Sequence, residues 1–109
     1  MTKNEIQQQI DCLADYRLQQ QQKIWIVDAE VEGLDSIDAP SINRAKLEGK
    51  MDADTILKLE KSVQASRAEK LNKKRYAEQM IPLLTKRIDA LVAQRDALPE
   101  PQDPLDKPQ

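Results

Sequence analysis

Histidine and phenylalanine are missing from this chain of 109 residues, and cysteine, glycine and the other aromatics are scarce. Without histidine there is no imidazole for acid–base catalysis, no Cys–His nucleophile pair and no ordinary zinc site. One Trp and two Tyr are too few to line a deep apolar pocket, because aromatic side chains dominate such pockets. Two glycines supply neither a phosphate-cradling loop nor a dinucleotide fingerprint. The single cysteine, Cys12, has no partner for an internal disulfide, which suits a reducing compartment. It neighbours Leu13 in the apolar pattern and is expected to be a partly buried, inert thiol, since no base stands by to activate it. No stretch nears the ~18 apolar residues of a membrane span, and Met1 to Gln9 has no signal-like apolar core. The expected location is the cytoplasm, or an assembly formed there.

What is plentiful is charge and aliphatic side chains. Lys, Arg, Asp and Glu make up 33% of the residues, and the apolar supply is Leu, Ile, Val and Ala, which suits helix seams. The net charge of −2 hides an uneven distribution. Residues 1–34 hold three basic side chains against six acidic ones, whereas residues 52–75 hold seven against four. Opposite signs on two helices favour their pairing, within one chain or between subunits. A basic patch for an external polyanion is the competing use.

The first helix is expected from about Lys3 to Glu32. Ile6, Ile10, Leu13, Arg17, Gln20, Ile24, Val27, Val31 and Leu34 alternate at spacings of four and three, a heptad seam with a polar middle at Arg17 and Gln20. Tyr16 and Leu18 are placed to widen the buried face. The run Ile24 to Val27 is also compatible with a strand, but a lone strand has no partner elsewhere in the chain. Gly33 followed by Leu34 reads as a helix end closed by a left-handed glycine, with a turn from Asp35 to Pro40. A short helix over residues 41–48 follows, capped by Ser41 and stopped by Gly49, with Ile42, Ala45 and Leu47 as its inward positions.

Asp52 or Asp54 opens the next helix-forming run, which reaches Leu98 and is interrupted only by Pro82. Its stripe runs through Ile56, Leu59, Val63, Ala68, Leu71, Tyr76, Ala77, Met80, Ile81, Leu84, Ile88, Leu91 and Leu98, with Arg95 in the seam, and drifts from a strict heptad. Pro82 lacks the donor to Glu78 and crowds its carbonyl, so a kink or a restart divides the run into helices of about 52–80 and 83–98. The predicted architecture is all-α: an elongated helical hairpin or open three-helix arrangement with coiled-coil-like packing. Residues 1–98 form a single domain, and residues 99–109 a flexible, Pro-rich, acidic tail. The tail's Pro101/Pro104 spacing and Leu105 make it a candidate linear motif.

No cofactor, metal or catalytic residue is predicted. Asp52-Ala53-Asp54 opens like a calcium loop, but the Gly and the terminal Glu of such a loop are replaced by Leu57 and Val63. Asp11 with Asp15, and Asp28 with Glu32, stand one turn apart, so a metal-dependent enzyme on paired carboxylates is the third and weakest reading. The leading reading is a non-enzymatic protein–protein interaction module: an assembly component, adaptor or inhibitor, of a size compatible with a viral or mobile-element accessory. Its partner is another protein or a second copy of itself. The candidate contact residues are Ile24, Trp25, Val27, Tyr76, Met80, Leu84, Ile88 and Leu91. The alternative is a nucleic-acid-associated module touching phosphates through Arg67, Lys70, Lys73, Lys74 and Arg75 within the basic segment 58–75. Of these, Arg67, Lys70 and Lys74 fall on one helical stripe.

Overall fold

The computed structural model describes residues 1–99; the predicted tail beyond Pro99 lies outside the described residues. Thr2 sets the start of the first helix, α1 (Lys3–Gly33). Its hydroxyl accepts from the Glu5 N–H at 3.2 Å while the Glu5 carboxylate accepts from the Thr2 N–H at 3.4 Å. This reciprocal capping box satisfies two donors that a helix start otherwise leaves unpaired. The predicted seam is the inner face of α1. Ile6, Ile10, Gln20 and Val27 are buried, and Leu13, Arg17, Ile24, Val31 and Leu34 are half-buried. Residues Ile24 to Val27 are helical. Tyr16 and Leu18 stay exposed instead of widening the seam, because each stands one residue, about 100°, away from Arg17 around the helix.

Gly33 does not close the helix. Its φ of −61° and ψ of −43° are right-handed helical, and the chain winds on through a π-helical turn (Leu34–Asp38) into α2 (Ala39–Glu48). The expected turn at Asp35 to Pro40 is therefore helical. The Ala39 N–H reaches five residues back to the Leu34 carbonyl, and Pro40, which has no N–H, follows at once. The wide turn takes up one extra residue before the proline. Ile42 thereby joins Ala45 on the half-buried face, while Ser41 stays exposed. Ser41 is not a cap: its hydroxyl donates to the Ile37 carbonyl at 2.5 Å, inside the continuing helix. Leu47 points to solvent, not inward.

Gly49 does stop the helix, in the left-handed region at φ 66°. The Gly49 N–H bonds to the Lys46 carbonyl at 3.3 Å and the Lys50 N–H to the Ala45 carbonyl at 3.2 Å, the paired bonds of a Schellman closure. Asp52, in extended backbone, then begins α3 (Ala53–Ala97), 45 residues and about 67 Å long. The two helices predicted on either side of Pro82 are one: α3 passes through the proline without a break. Pro82 and Glu78 are both exposed, so the carbonyl that loses its helical donor stands on the solvent side, while Ala77, Leu84 and Ile88 hold the opposite face. Leu98 ends α3 in extended backbone, the conformation that the following Pro99 imposes on it.

The inner face of α3 keeps the four–three alternation more strictly than its apolar residues alone suggest. Read back from Leu98 it is Arg95, Leu91, Ile88, Leu84, Ile81, Ala77, Lys74, Lys70, Arg67, Val63, Glu60 and Ile56, and all but the exposed Arg67 are buried or half-buried. Ala68, Leu59 and Tyr76, expected in the stripe, are exposed. The α1 and α3 faces close on each other as an antiparallel hairpin. Contacts from Gln7 to Arg95, Arg17 to Thr85, Asp28 to Lys74, Glu30 to Lys70 and Asp35 to Arg67 span 88, 68, 46, 40 and 32 residues in turn. With α2 stacked onto the end of α1, the molecule is two side-by-side rods, 89 × 20 × 14 Å. Its radius of gyration is 24.6 Å, against about 13 Å for a compact domain of this length. The apolar core sits at the terminal end, where Ile6 and Ile10 meet Ile88 and Leu91, flanked by Leu13, Ala14, Val92 and Leu98.

Candidate functional site

Away from that core, the middle of the hairpin adds a ladder of ion pairs to a seam in which Val27 and Ala77 are also buried. The Lys74 ammonium lies 2.6 Å from Asp28, Lys70 pairs with Glu30, and Arg67 grips Asp35 through its Nε at 3.1 Å and a second guanidinium nitrogen at 3.5 Å. Lys46 of α2 approaches Glu60 at 3.9 Å, extending the ladder towards the tip. The hydrogen bond from Lys74 to Asp28 holds the Lys74 ammonium above its ordinary value of 10.5, with Coulombic support from Asp28 and Glu78.

The opposite charges of the first and third helices thus meet within one chain. The stripe of Arg67, Lys70 and Lys74, considered for phosphate, faces carboxylates of α1 and of the π-turn. Lys73 pairs along its own helix with Glu69 at 3.3 Å, and Arg75 is exposed.

The polar residues of the α1 seam are treated differently from one another. Arg17 donates to the Thr85 hydroxyl at 3.1 Å, and Arg95 donates to the Gln7 amide oxygen at 2.6 Å. Gln20 is wholly buried, and neither its amide nitrogen nor its amide oxygen has a protein partner. The contacts on either side of it, Arg17 to Thr85 and Asp28 to Lys74, set Gln20 level with Pro82, between the seam residues Ile81 and Leu84.

The paired carboxylates do not assemble a site. Asp11 accepts from the Gln7 amide at 2.9 Å and Asp15 from the Gln19 amide at 3.2 Å, while Asp28 is engaged by Lys74. Among the described residues no three metal-ligating side chains converge. Cys12 is exposed, not partly buried, because it stands one residue off the seam position Leu13.

The candidate contact residues fall into two groups. Val27, Leu84, Ile88 and Leu91 are buried between α1 and α3, and Ile24 and Met80 are half-buried there. Trp25, 66% exposed, and Tyr76, 54% exposed, face outward. Tyr76 lines an open groove of about 640 Å³ along one side of the shaft, with Lys23, Ile26, Val27 and Glu30 of α1 and Glu69, Asn72 and Lys73 of α3. The register that joins Asp28 to Lys74 sets Ile26 level with Tyr76 across this groove. Ile26 and Leu83 are also largely exposed, and neither was marked by sequence reasoning. Ile26 was absorbed into an apolar run, and Leu83 follows the proline thought to divide the helix. Continuing the four–three count of α3 through Pro82 puts Leu83 off the seam, and the α1 count, which falls on Ile24 and Val27, leaves Ile26 off it.

No family model, curated protein or solved structure matches the chain. Fold and surface define it as a small, elongated all-α hairpin. Among the described residues no helix is long and apolar enough to cross a membrane.

Proposed function

We propose that this chain is a non-enzymatic, coiled-coil-like helical hairpin that acts by binding protein, as an assembly component, adaptor or inhibitor in the cytoplasm or in a structure built there. One observation carries the reading: large apolar side chains stand exposed on the shaft although the seam beside them is filled. Trp25, Ile26, Tyr76 and Leu83 are each more than half exposed, and Trp and Tyr are enriched among the residues that dominate protein interfaces. A two-helix layer covers only one stripe of each helix, so such residues need a further layer to be buried.

The test is retention of protein by the tagged full-length chain from its native source, compared with Trp25→Asp and with the pair Ile26→Asp and Tyr76→Asp. Circular dichroism confirms that each variant keeps its helix content. Retention or self-association that is lost in at least one variant is expected. Absence of both for the intact chain, or binding unchanged in every variant, would sink the proposal.

A further inference from the structure

We infer that the groove between Ile26 and Tyr76 is filled by a second copy of this chain, groove to groove, with the two hairpin tips at the same end. This deepens the protein-binding reading and rests on it.

The walls of the groove carry a complementary pattern. On the α1 wall, Ile26 is followed one turn later by Glu30; on the α3 wall, Tyr76 is preceded by Lys73. The antiparallel register sets Ile26 level with Tyr76, and Glu30 level with the Asn72–Lys73 pair. A half-turn about an axis running along the groove exchanges the walls without changing height. Ile26 of one copy then meets Tyr76 of the other, and the Glu30–Lys70 pair of one copy meets the Lys73–Glu69 pair of the other as a four-charge cluster, twice over by symmetry. Such a contact is isologous and closes after two copies. Attraction between the charges and burial of the apolar pair then act at the same place.

The area suffices. A face 89 Å long and 20 Å wide offers about twice the roughly 800 Å² per partner of a standard interface. The contact therefore needs only the middle half of the hairpin. The product is a four-helix layer in which each copy supplies the cover that the other's exposed face lacks. An arrangement with the tips at opposite ends stacks each helix on its own copy and separates Glu30 from Lys73.

Light scattering on the full chain is the first measurement. The expected mass is twice the monomer's 12.5 kDa, returning to the monomer value in the pair Ile26→Asp and Tyr76→Asp, and unchanged in Trp25→Asp on the far side. The single thiol, Cys12, is exposed and reports orientation through pulsed electron resonance of an attached spin label. With tips together the two labels stand within about 20 Å of each other, since packed helices are 8–10 Å apart. With tips apart they stand about 40 Å apart, because Cys12 is fourteen residues, or ~21 Å, from Ile26 along the helix.

A monomeric intact chain, a dimer broken by Trp25→Asp but not by the groove pair, or the long label distance would each overturn the inference. A monomer that still retains another protein through the groove overturns this inference and leaves the proposed function standing. If no copy and no other protein binds, both fall.

Discussion

The terminal end of the hairpin and its middle solve the same packing problem with different chemistry. At the terminal end, Ile6, Ile10, Ile88 and Leu91 interlock and exclude water. In the middle, the same heptad positions of α3 carry Arg67, Lys70 and Lys74, which reach carboxylates of the opposite rod. Burying a Leu or Ile side chain stabilises by about 1.5–3 kcal/mol, whereas a solvent-exposed ion pair contributes about 0–1 kcal/mol. The two regions are therefore unequal. The terminal end supplies most of the adhesion, and the charged middle sets which residues stand opposite each other. A one-heptad slip takes Asp28 and Glu30 out of reach of Lys74 and Lys70.

The largest expected effect breaks the apolar end. Leu91 is 1% exposed, and Leu91→Ala should lower stability by about 2–5 kcal/mol, measured by urea unfolding followed by circular dichroism. An effect below 1 kcal/mol would show that this end is not the principal adhesive. The next two changes act where the regions join. Pro82→Ala should stabilise by up to about 3 kcal/mol, since it restores a donor to Glu78 inside an otherwise continuous helix. A loss of stability instead would mean that the proline shapes the shaft. Gln20→Leu replaces a buried amide that has no protein partner. Relieving such a group should gain about 1–3 kcal/mol, and a loss would place an ordered water or a second chain at that amide.

The smallest effects belong to the charged middle. Arg67→Ala should cost less than about 1 kcal/mol, and less still in high salt; a larger, salt-independent loss would make the middle an adhesive region in its own right. The pH dependence of the Lys74 contact has a definite sign. A pKa raised in the folded state means that folding holds the proton more tightly. The contribution is therefore complete below about pH 10.5, the ordinary value, and fades as pH rises through the higher folded value. Asp28→Asn should flatten that alkaline decline in a thermal-melt series.

Much of this was legible in the sequence. The nine α1 seam residues from Ile6 to Leu34 all lie inward, including the polar Arg17 and Gln20, because a heptad repeat names a face whatever occupies it. The charge imbalance between the first and third helices foretold their contact. Three features escaped. Gly33 resembles a helix end, yet its right-handed backbone is open to any residue, and an added Cβ there would meet nothing within 4 Å. Pro82 resembles a break, yet it falls on the outer face, where a carbonyl without a donor is in water. In α3 the seam was obscured because Arg67, Lys70 and Lys74 occupy apolar positions, so weight fell on the outward Ala68 and Tyr76.

By itself, then, the sequence determined the helical class, the α1 face, the stop at Gly49 and the absence of histidine chemistry. Each follows from local periodicity, local backbone preference or composition. Only the tertiary structure decided that the helix runs on through Gly33 and Pro82, that the basic stripe is answered from within, and that Ile26 and Tyr76 share a groove. Those outcomes depend on which residues lie opposite one another, and that is settled by the register of two rods whose contacting residues are 32 to 88 positions apart.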